Sequence, residues 1–197
     1  MKKAYSAIAI DIDEVLVETA PGVIRHYNSK YGTNVRLKDY YSDDFNHWRV
    51  PDFATAVQRV NEFADTEEYM QLPPVKHSIR VIQDLAKSYH LYVITGRPDF
   101  ISEVTKIWLE KHFPNLFKRV IFSNFYDPDK QRSKGEICVE LGIDLLIDDH
   151  PAHVLSVAKL GIDGYLFGDF PWAKMPGKLP ANVKRVKDWQ EVAELLL

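Results

Sequence analysis

The chain has 197 residues, of which 46% are hydrophobic and 27% are charged, and its formal net charge is −3 at pH 7. This length allows one substantial core with a small accessory module, and the composition excludes a disordered or fibrous chain. The charge gives no basic surface for nucleic acid, so we expect no polynucleotide partner. No apolar run approaches the roughly 18 residues of a membrane span, so we expect no membrane partner.

The N-terminal segment and the cysteine content bear on the cellular compartment. The first apolar run is short and is interrupted at Asp11, which is typical of a first strand rather than a signal peptide. Cys138 is the only cysteine in the sequence, so no intramolecular disulfide can form, and we expect it to be a buried helix residue. These features predict a cytoplasmic protein.

Four apolar segments each end at a polar residue that could be reactive. AIAI precedes Asp11, LYVI precedes Thr95, RVIF precedes Ser123 and DLLI leads to Asp148. Such near-continuous apolar runs are typical of parallel strands that are covered on both faces, and helical patterns lie between them. The alternation predicts an α/β fold with a parallel sheet. Two further strands are expected at 164–167 and 183–186, followed by a final helix at 188–197.

The interval 15–76 interrupts this alternation, because it offers helical patterns and loops but no convincing strand. Helices are expected near 21–31 and 52–64, and the sequence LPP at 72–74 marks the return to the main domain. The sequence contains no Gly/Ser linker and no internal repeat. We therefore predict a catalytic core of residues 1–14 and 77–197, with residues 15–76 inserted as a helical module, which we call the cap.

Acidic residues follow the first and the fourth apolar segments. Ligands bind outside the carboxyl ends of parallel strands, so Asp11, Asp13, Asp148 and Asp149 are the first candidates for a site. Paired carboxylates repel each other unless a cation relieves them, and carboxylate oxygens are ligands that Mg²⁺ prefers. We expect a Mg²⁺ site at which Asp11 also acts as a nucleophile and Asp13 as a general acid and base.

The second apolar segment and the helix before the acidic pair supply groups for a phosphoryl oxygen. The Thr95 hydroxyl and the backbone N–H groups of Gly96 and Arg97 at a helix start could donate hydrogen bonds. Lys134 would neutralise further charge. Lys130 competes for this role, but Lys134 opens an amphipathic run and is closer to the acidic strand, so we favour Lys134.

The order of these motifs resembles that of the haloacid dehalogenase-like (HAD) hydrolase superfamily, with its Asp-x-Asp, Thr, Lys and acidic-pair motifs. The resemblance implies a three-layer Rossmann-like core, an aspartyl-phosphate intermediate and Mg²⁺. It also implies that the backbone carbonyl of Asp13 and the carboxylate of Asp149 are direct metal ligands. Asp148 is then expected to lie behind them.

Within that superfamily the chain resembles the 5′(3′)-deoxyribonucleotidase group, whose small helical cap follows the first motif. Four segments carry this resemblance over most of the chain: DIDEVLVE, LPPVKHSIRVIQDLA, LLIDDHP and LFGDFPWAK. The sequence departs from the group at two positions. Glu14 stands where the group usually has Gly, and Thr19 stands where it often has an aromatic residue.

Aromatic side chains in the cap could stack on a nucleobase or form the cap's own core. The candidates are Tyr40, Tyr41, Phe45, Trp48 and Phe53. Among these we favour Phe45 and Trp48 as substrate-binding residues. His150 and His153 follow the acidic pair, but an oxygen-rich Mg²⁺ site does not require them, and we expect both in a solvent-facing loop.

These patterns predict a Mg²⁺-dependent phosphatase for a small-molecule phosphate ester, most plausibly a 5′-nucleotidase acting on (deoxy)nucleoside monophosphates. A phosphatase for sugar phosphates or another small metabolite is an alternative. A phospho-accepting or non-catalytic binding module is an alternative of another class, although receiver domains place their acidic pair early and their lysine last. The sequence leaves a homodimer open.

Overall fold

The structure is a computed structural model that describes residues 5–42, 44–175 and 177–197. Its strands are β1 (Ala7–Ile10), β2 (His90–Thr95), β3 (Val120–Phe122), β4 (Leu145–Asp148), β5 (Asp163–Phe167) and β6 (Val183–Val186). They form one sheet in the order β3-β2-β1-β4-β5-β6, and every neighbouring pair is parallel. The predicted α/β fold with a parallel sheet is confirmed.

Eight helices accompany the sheet in the described part of the chain. They are α1 (Thr19–Tyr31), α2 (Phe53–Asn61), α3 (Glu67–Met70), α4 (Ser78–Leu85), α5 (Ser102–His112), α6 (Lys134–Leu141), α7 (Pro151–Ala158) and α8 (Trp189–Leu196). The predicted final helix begins one residue later than expected, because the Asp188 carboxylate caps it by accepting from the N–H groups of Gln190 and Glu191. None of the described helices is long and apolar enough to cross a membrane.

Alternating side chains of the strands form an apolar core on each face of the sheet. On one face, Ile8, Ile10 and Leu91 pack with side chains of α4, α5 and α8. On the other face, Ala9 and Leu146 pack with side chains of α6 and α7, including Cys138, which is buried in α6 as predicted. The sheet therefore lies between two helical layers, as in the predicted Rossmann-like core.

The chain leaves and rejoins the core at one place. The Glu18 N–H donates to the Pro73 carbonyl at 3.0 Å, and the Val75 N–H donates to the Leu16 carbonyl at 2.8 Å. Between these pairs lie α1, α2, α3 and two 3₁₀ turns, Leu37–Asp39 and Glu62–Asp65. Helices α1 and α2 lie at the positions predicted for helices in the cap, although α2 ends at Asn61 and continues as the second turn. The division into core and cap stays a prediction, and its residues 1–4, 43 and 176 lie outside the described residues.

Candidate active site

The central strands bring three of the predicted site residues to one edge of the sheet. Strand β1 lies between β2 and β4, so the carboxyl ends of these three strands adjoin. Asp11 directly follows β1, Thr95 is the last residue of β2 and Asp148 is the last residue of β4. The Asp11 N–H donates to the Ile147 carbonyl of β4 at 2.9 Å. Sheet register therefore fixes the position of the Asp11 backbone.

Lys134 bridges two carboxylates beneath this edge. It is the first residue of α6, and Ser133 caps that helix by accepting a hydrogen bond from the Gly135 N–H. Its ammonium donates to Asp11 Oδ1 at 2.5 Å and to Asp148 Oδ2 at 2.7 Å, and the residue is 1% exposed. Burial lowers the pKa of Lys134, but the two carboxylates outweigh it and the pKa is raised. Lys130, the rival candidate, is exposed.

Three buried carboxylates can share one cation at this edge. Asp11, Asp148 and Asp149 each offer an oxygen, and these atoms lie within 4.8 Å of one another. Burial raises the pKa of Asp11 to about 7 against the opposing effect of Lys134, and Asp148 and Asp13 raise it further. Burial, followed by Asp148 and Asp11, also raises the pKa of Asp149. The negative charges of these carboxylates repel one another unless protons or a cation neutralise them. Their three oxygens therefore form a ligand set that fits Mg²⁺.

Asp148 and Asp149 differ in their hydrogen-bond partners and in their access to the cavity. Both oxygens of Asp148 are engaged, because Lys134 donates to Oδ2 and the His150 N–H donates to Oδ1 at 2.9 Å. Burial opposes ionisation of Asp148, but Lys134, His153 and the His150 N–H together outweigh it and the pKa of Asp148 is lowered. Asp149 lines the cavity above the site, whereas Asp148 is fully buried. Whether Asp148 contacts the metal directly or lies behind Asp149 stays a prediction.

Asp13 forms an ion pair with Arg97. The guanidinium donates to Asp13 Oδ2 at 3.0 Å and Oδ1 at 2.6 Å, and the Thr19 hydroxyl donates to Oδ1 at 2.6 Å. Arg97 also donates to the Thr105 hydroxyl at 3.0 Å. Burial opposes ionisation of Asp13, but Arg97 outweighs it and the pKa is lowered. The sequence pattern predicted Arg97 as a phosphate ligand and did not indicate this pair.

The segment after β2 differs in part from its prediction. We expected a helix to start at Gly96 and Arg97, but a 3₁₀ turn begins at Asp99 and α5 begins only at Ser102. Pro98 explains the delay, because a residue that precedes proline is disfavoured in helical conformation. Gly96 and Arg97 line the cavity above the site.

Thr95 is fully buried and its hydroxyl accepts a hydrogen bond from the Arg97 N–H at 3.2 Å. The Arg97 N–H is therefore engaged by a side chain of its own segment. The contacts predicted between a phosphoryl oxygen and Thr95 or the Arg97 amide stay predictions.

A cavity of about 300 Å³ opens above the carboxylates. Asp11, Asp13, Lys134 and Asp149 line its polar end. Aromatic side chains cover much of its remaining wall. These are Tyr40, Tyr41, Phe45, Trp48, Phe53, Phe63 and Tyr69 from the segment between β1 and α4, and Phe125 and Tyr126 from the loop after β3. The cavity therefore combines a set of charged side chains with an apolar, aromatic wall.

Phe45 and Trp48, the two favoured stacking residues, have different surroundings. Phe45 is partly buried and its ring lies 6.2 Å from that of Phe53. Trp48 is 3% exposed, packs edge-on against Tyr27 at 4.8 Å and donates its indole N–H to the Asp39 carbonyl. Both residues line the cavity, but Trp48 is also part of a small apolar core with Tyr27 and Val35.

Two residues beside the site, Glu14 and His153, have unusual surroundings. Glu14 has a positive φ of 60°, which favours glycine, and its buried Oε2 has no hydrogen-bond partner among the described residues. Its Oε1 accepts from the Ala20 N–H at 2.6 Å. The expectation that His153 lies in a solvent-facing loop is wrong, because α7 begins at Pro151 and carries His153 inward, where it packs edge-on against Phe125 at 4.6 Å.

Comparisons with known proteins bear on the family and fold of the chain. The model of the family "5′ nucleotidase, deoxy (Pyrimidine), cytosolic type C protein" matches residues 5–197. A 5′(3′)-deoxyribonucleotidase from Bacillus subtilis is 27% identical, with all of both chains covered. Another from Bacillus phage SPbeta gives the same identity and coverage.

Solved structures share the fold at lower identity. A predicted phosphatase from Clostridium acetobutylicum has a TM-score of 0.69 at 17% identity, covering 98% of each chain. A Bacillus subtilis protein assigned to the HAD hydrolases, whose structure is bound to magnesium, has a TM-score of 0.66 at 14% identity, covering 98% of this chain and 99% of that one. The predicted HAD-like fold and the assignment as a phosphoric monoester hydrolase are confirmed. The chain belongs to the 5′ nucleotidase, deoxy (pyrimidine), cytosolic type C protein family.

Proposed function

We propose that the chain is a Mg²⁺-dependent 5′-nucleotidase that hydrolyses (deoxy)nucleoside monophosphates with Asp11 as the nucleophile. The observation that carries this proposal is the Lys134 bridge between Asp11 and Asp148 beside Asp149, at the polar end of an aromatic cavity. A phosphate group needs positive charge at one end of a site, and a nucleobase needs an apolar surface at the other. Lys134 and the cation that the carboxylates would hold supply the positive charge, and the aromatic wall supplies the apolar surface.

Asp11, the Asp13 carbonyl and Asp149 would hold Mg²⁺. When bound, the ion would neutralise charge on the phosphoryl oxygens and screen the repulsion between the carboxylates and the phosphate. Lys134 stands beside Asp11 and adds a second positive charge. Its bond to Asp11 Oδ1 leaves Oδ2 of that carboxylate for attack on phosphorus.

In the first step an Asp11 oxygen forms a bond to phosphorus, the ester P–O bond breaks and Asp13 gives its proton to the departing alkoxide. In the second step Asp13 takes a proton from water, whose oxygen attacks phosphorus and releases Asp11 and inorganic phosphate. The ion pair with Arg97 favours the ionised form of Asp13, which is the form that accepts a proton. The negative charge of an arriving phosphate favours the protonated form that the first step requires.

Residues 15–76 would act as the cap that recognises the nucleoside. Their aromatic side chains line the same cavity of about 300 Å³ as Asp11, Asp13 and Asp149. Phe45 presents a partly buried ring there, so we propose it as the principal stacking residue. The cytoplasmic location stays a prediction, as does a homodimer.

A substrate panel tests this function. Phosphate release should be measured with Mg²⁺ on deoxyribonucleoside and ribonucleoside monophosphates, hexose phosphates and an aryl phosphate, with Asp11→Asn as the inactive control. We expect nucleoside monophosphates to have the highest kcat/KM, and excess EDTA to abolish their hydrolysis. A preference for hexose phosphates would overturn the nucleotidase proposal, and full activity in EDTA would overturn the metal requirement.

A further inference from the structure

Trp172 contacts the acidic pair from a distant part of the chain. It lies in a short 3₁₀ turn, Pro171–Ala173, in the connection between β5 and β6. Its indole N–H donates to Asp149 Oδ2 at 2.6 Å. An indole N–H is a donor only, so this contact uses one oxygen of the carboxylate and leaves the other for a cation.

Two aromatic rings pack against the indole. Phe170 stacks on it with a centroid distance of 4.9 Å and an interplanar angle of 3°, and Tyr41 packs against it at 4.9 Å. The turn is tied to β6, because Arg185 donates to the Ala173 carbonyl at 2.9 Å. Gly168 has a φ of 79°, and a Cβ there would lie 2.3 Å from the Phe170 ring, so the close approach of Phe170 requires glycine.

A carboxylate that binds a metal through one oxygen can rotate about its Cβ–Cγ bond unless a second group fixes it. Hydrogen bonds to such carboxylates orient them and tune their affinity for the metal. Asp149 is 4% exposed, so loss of the donor would also leave a buried oxygen without its partner.

We infer that Trp172 is a positioning residue, which fixes the Asp149 carboxylate so that its second oxygen faces the cation. This inference rests on the proposed function, because it assumes that Asp149 binds Mg²⁺. Trp172 itself is not among the residues that line the cavity in the described part of the chain, so its effect on substrate would pass through Asp149.

The test is Trp172→Phe, which keeps an aromatic ring between Phe170 and Tyr41 but removes the N–H. Binding of Mg²⁺ to the substrate-free protein should be measured by calorimetry, and binding of Mn²⁺ by electron paramagnetic resonance. We expect affinity for both ions to fall by about tenfold to a hundredfold. The Mg²⁺ concentration for half-maximal activity should rise in parallel, while kcat at saturating Mg²⁺ should largely recover.

Trp108→Phe is the matched control. The Trp108 indole is buried, whereas Trp172 is partly buried, and it likewise donates one hydrogen bond, to the Leu72 carbonyl at 3.0 Å rather than to Asp148 or Asp149. We expect this variant to lose stability and to keep the metal affinity of the parent. Circular dichroism and thermal unfolding should establish that both variants are folded.

A spectroscopic measurement on the parent chain serves if Trp172→Phe does not fold. The sequence has four tryptophans, and their indole ¹⁵N–¹H signals can be assigned from phenylalanine variants of the other three, Trp48, Trp108 and Trp189. Addition of Mg²⁺ should shift the Trp172 signal more than the others.

The outcomes separate the two proposals. A parent chain that binds no Mg²⁺ overturns the proposed function and this inference together. A parent that binds Mg²⁺ while Trp172→Phe binds it equally well overturns the inference alone. A Trp172 indole signal that Mg²⁺ leaves unmoved overturns it as well, as does a loss of kcat that saturating Mg²⁺ does not recover.

Discussion

Two guanidinium nitrogens of Arg97 donate hydrogen bonds to the Asp13 carboxylate, Nε to Oδ2 at 3.0 Å and Nη2 to Oδ1 at 2.6 Å, although 84 residues separate the two residues in sequence. The planar guanidinium matches the plane of the carboxylate, which gives such pairs their orientation as well as their strength. Arg97 lines the cavity, but its guanidinium is engaged by the proposed acid and base, Asp13. We propose that the Arg97 guanidinium positions Asp13, while the predicted contact between the Arg97 backbone N–H and phosphate stays a prediction.

Arg97→Lys keeps a positive charge but cannot form the two-nitrogen contact. We expect kcat to fall by about tenfold to a hundredfold, because a poorly positioned Asp13 would lose part of the rate that acid and base catalysis contributes. KM should change little. Steady-state kinetics on a nucleoside monophosphate would measure the split. A raised KM with an unchanged kcat would instead support a direct contact with phosphate. Arg119→Lys, at an exposed position, is the control.

Lys134→Met leaves Asp11 and Asp148 buried without their shared cation. Breaking a buried ion pair in this way costs about 3 to 5 kcal/mol, so we expect the free energy of unfolding in EDTA to fall by that order. Urea denaturation measures this loss, and added Mg²⁺ should recover part of it. The matched control is Lys130→Met, which removes an exposed lysine four residues earlier. Equal stability of the two variants would contradict the bridging role of Lys134.

His153 should make the fold sensitive to acid. Burial lowers the pKa of His153 to about 3, with Lys134 and His150 acting in the same direction and Asp148 opposing them. The stability contribution of neutral His153 is complete above the unfolded pKa of about 6.5 and is lost as the pH falls toward the folded value. Between about pH 7 and about pH 5, the free energy of unfolding should fall by about 2 kcal/mol. Urea denaturation should show a smaller loss over this range in His153→Asn than in the parent, and identical losses would contradict the burial of a neutral imidazole.

Much of the fold could be predicted because strand positions depend on local apolar runs. AIAI, LYVI and DLLI lie in adjacent parallel strands, so the residues at their ends had to meet at one edge. The side-chain contacts at that edge depend on tertiary packing instead. Neither the Arg97 contact with Asp13 nor the Trp172 contact with Asp149 has a periodic signal in the sequence. The backbone conformation of Glu14 could be predicted, because the related group usually has glycine at this position and the φ of Glu14 is positive.

Phe45 and Trp48 should respond differently to truncation. Phe45→Ala removes a partly buried ring from the cavity wall, so we expect about 1 to 3 kcal/mol of binding to be lost, as a raised KM for nucleotides. An aryl phosphate should suffer less. Trp48→Ala removes a core residue, so we expect about 3 to 5 kcal/mol of stability to be lost. Equal losses of kcat/KM on both substrates in Phe45→Ala would place Phe45 outside the nucleoside site.

Chemical trapping at Asp11 tests the proposed mechanism most directly. The parent enzyme should be mixed with a nucleoside monophosphate and Mg²⁺, quenched in acid within one turnover and reduced with borohydride, which converts an acyl phosphate to an alcohol. Peptide mass spectrometry should then find homoserine in place of Asp11 in a fraction of the chains, and no such conversion without substrate. An unmodified Asp11 in an enzyme that releases phosphate, or conversion of another carboxylate instead, would contradict the assignment of Asp11 as the nucleophile.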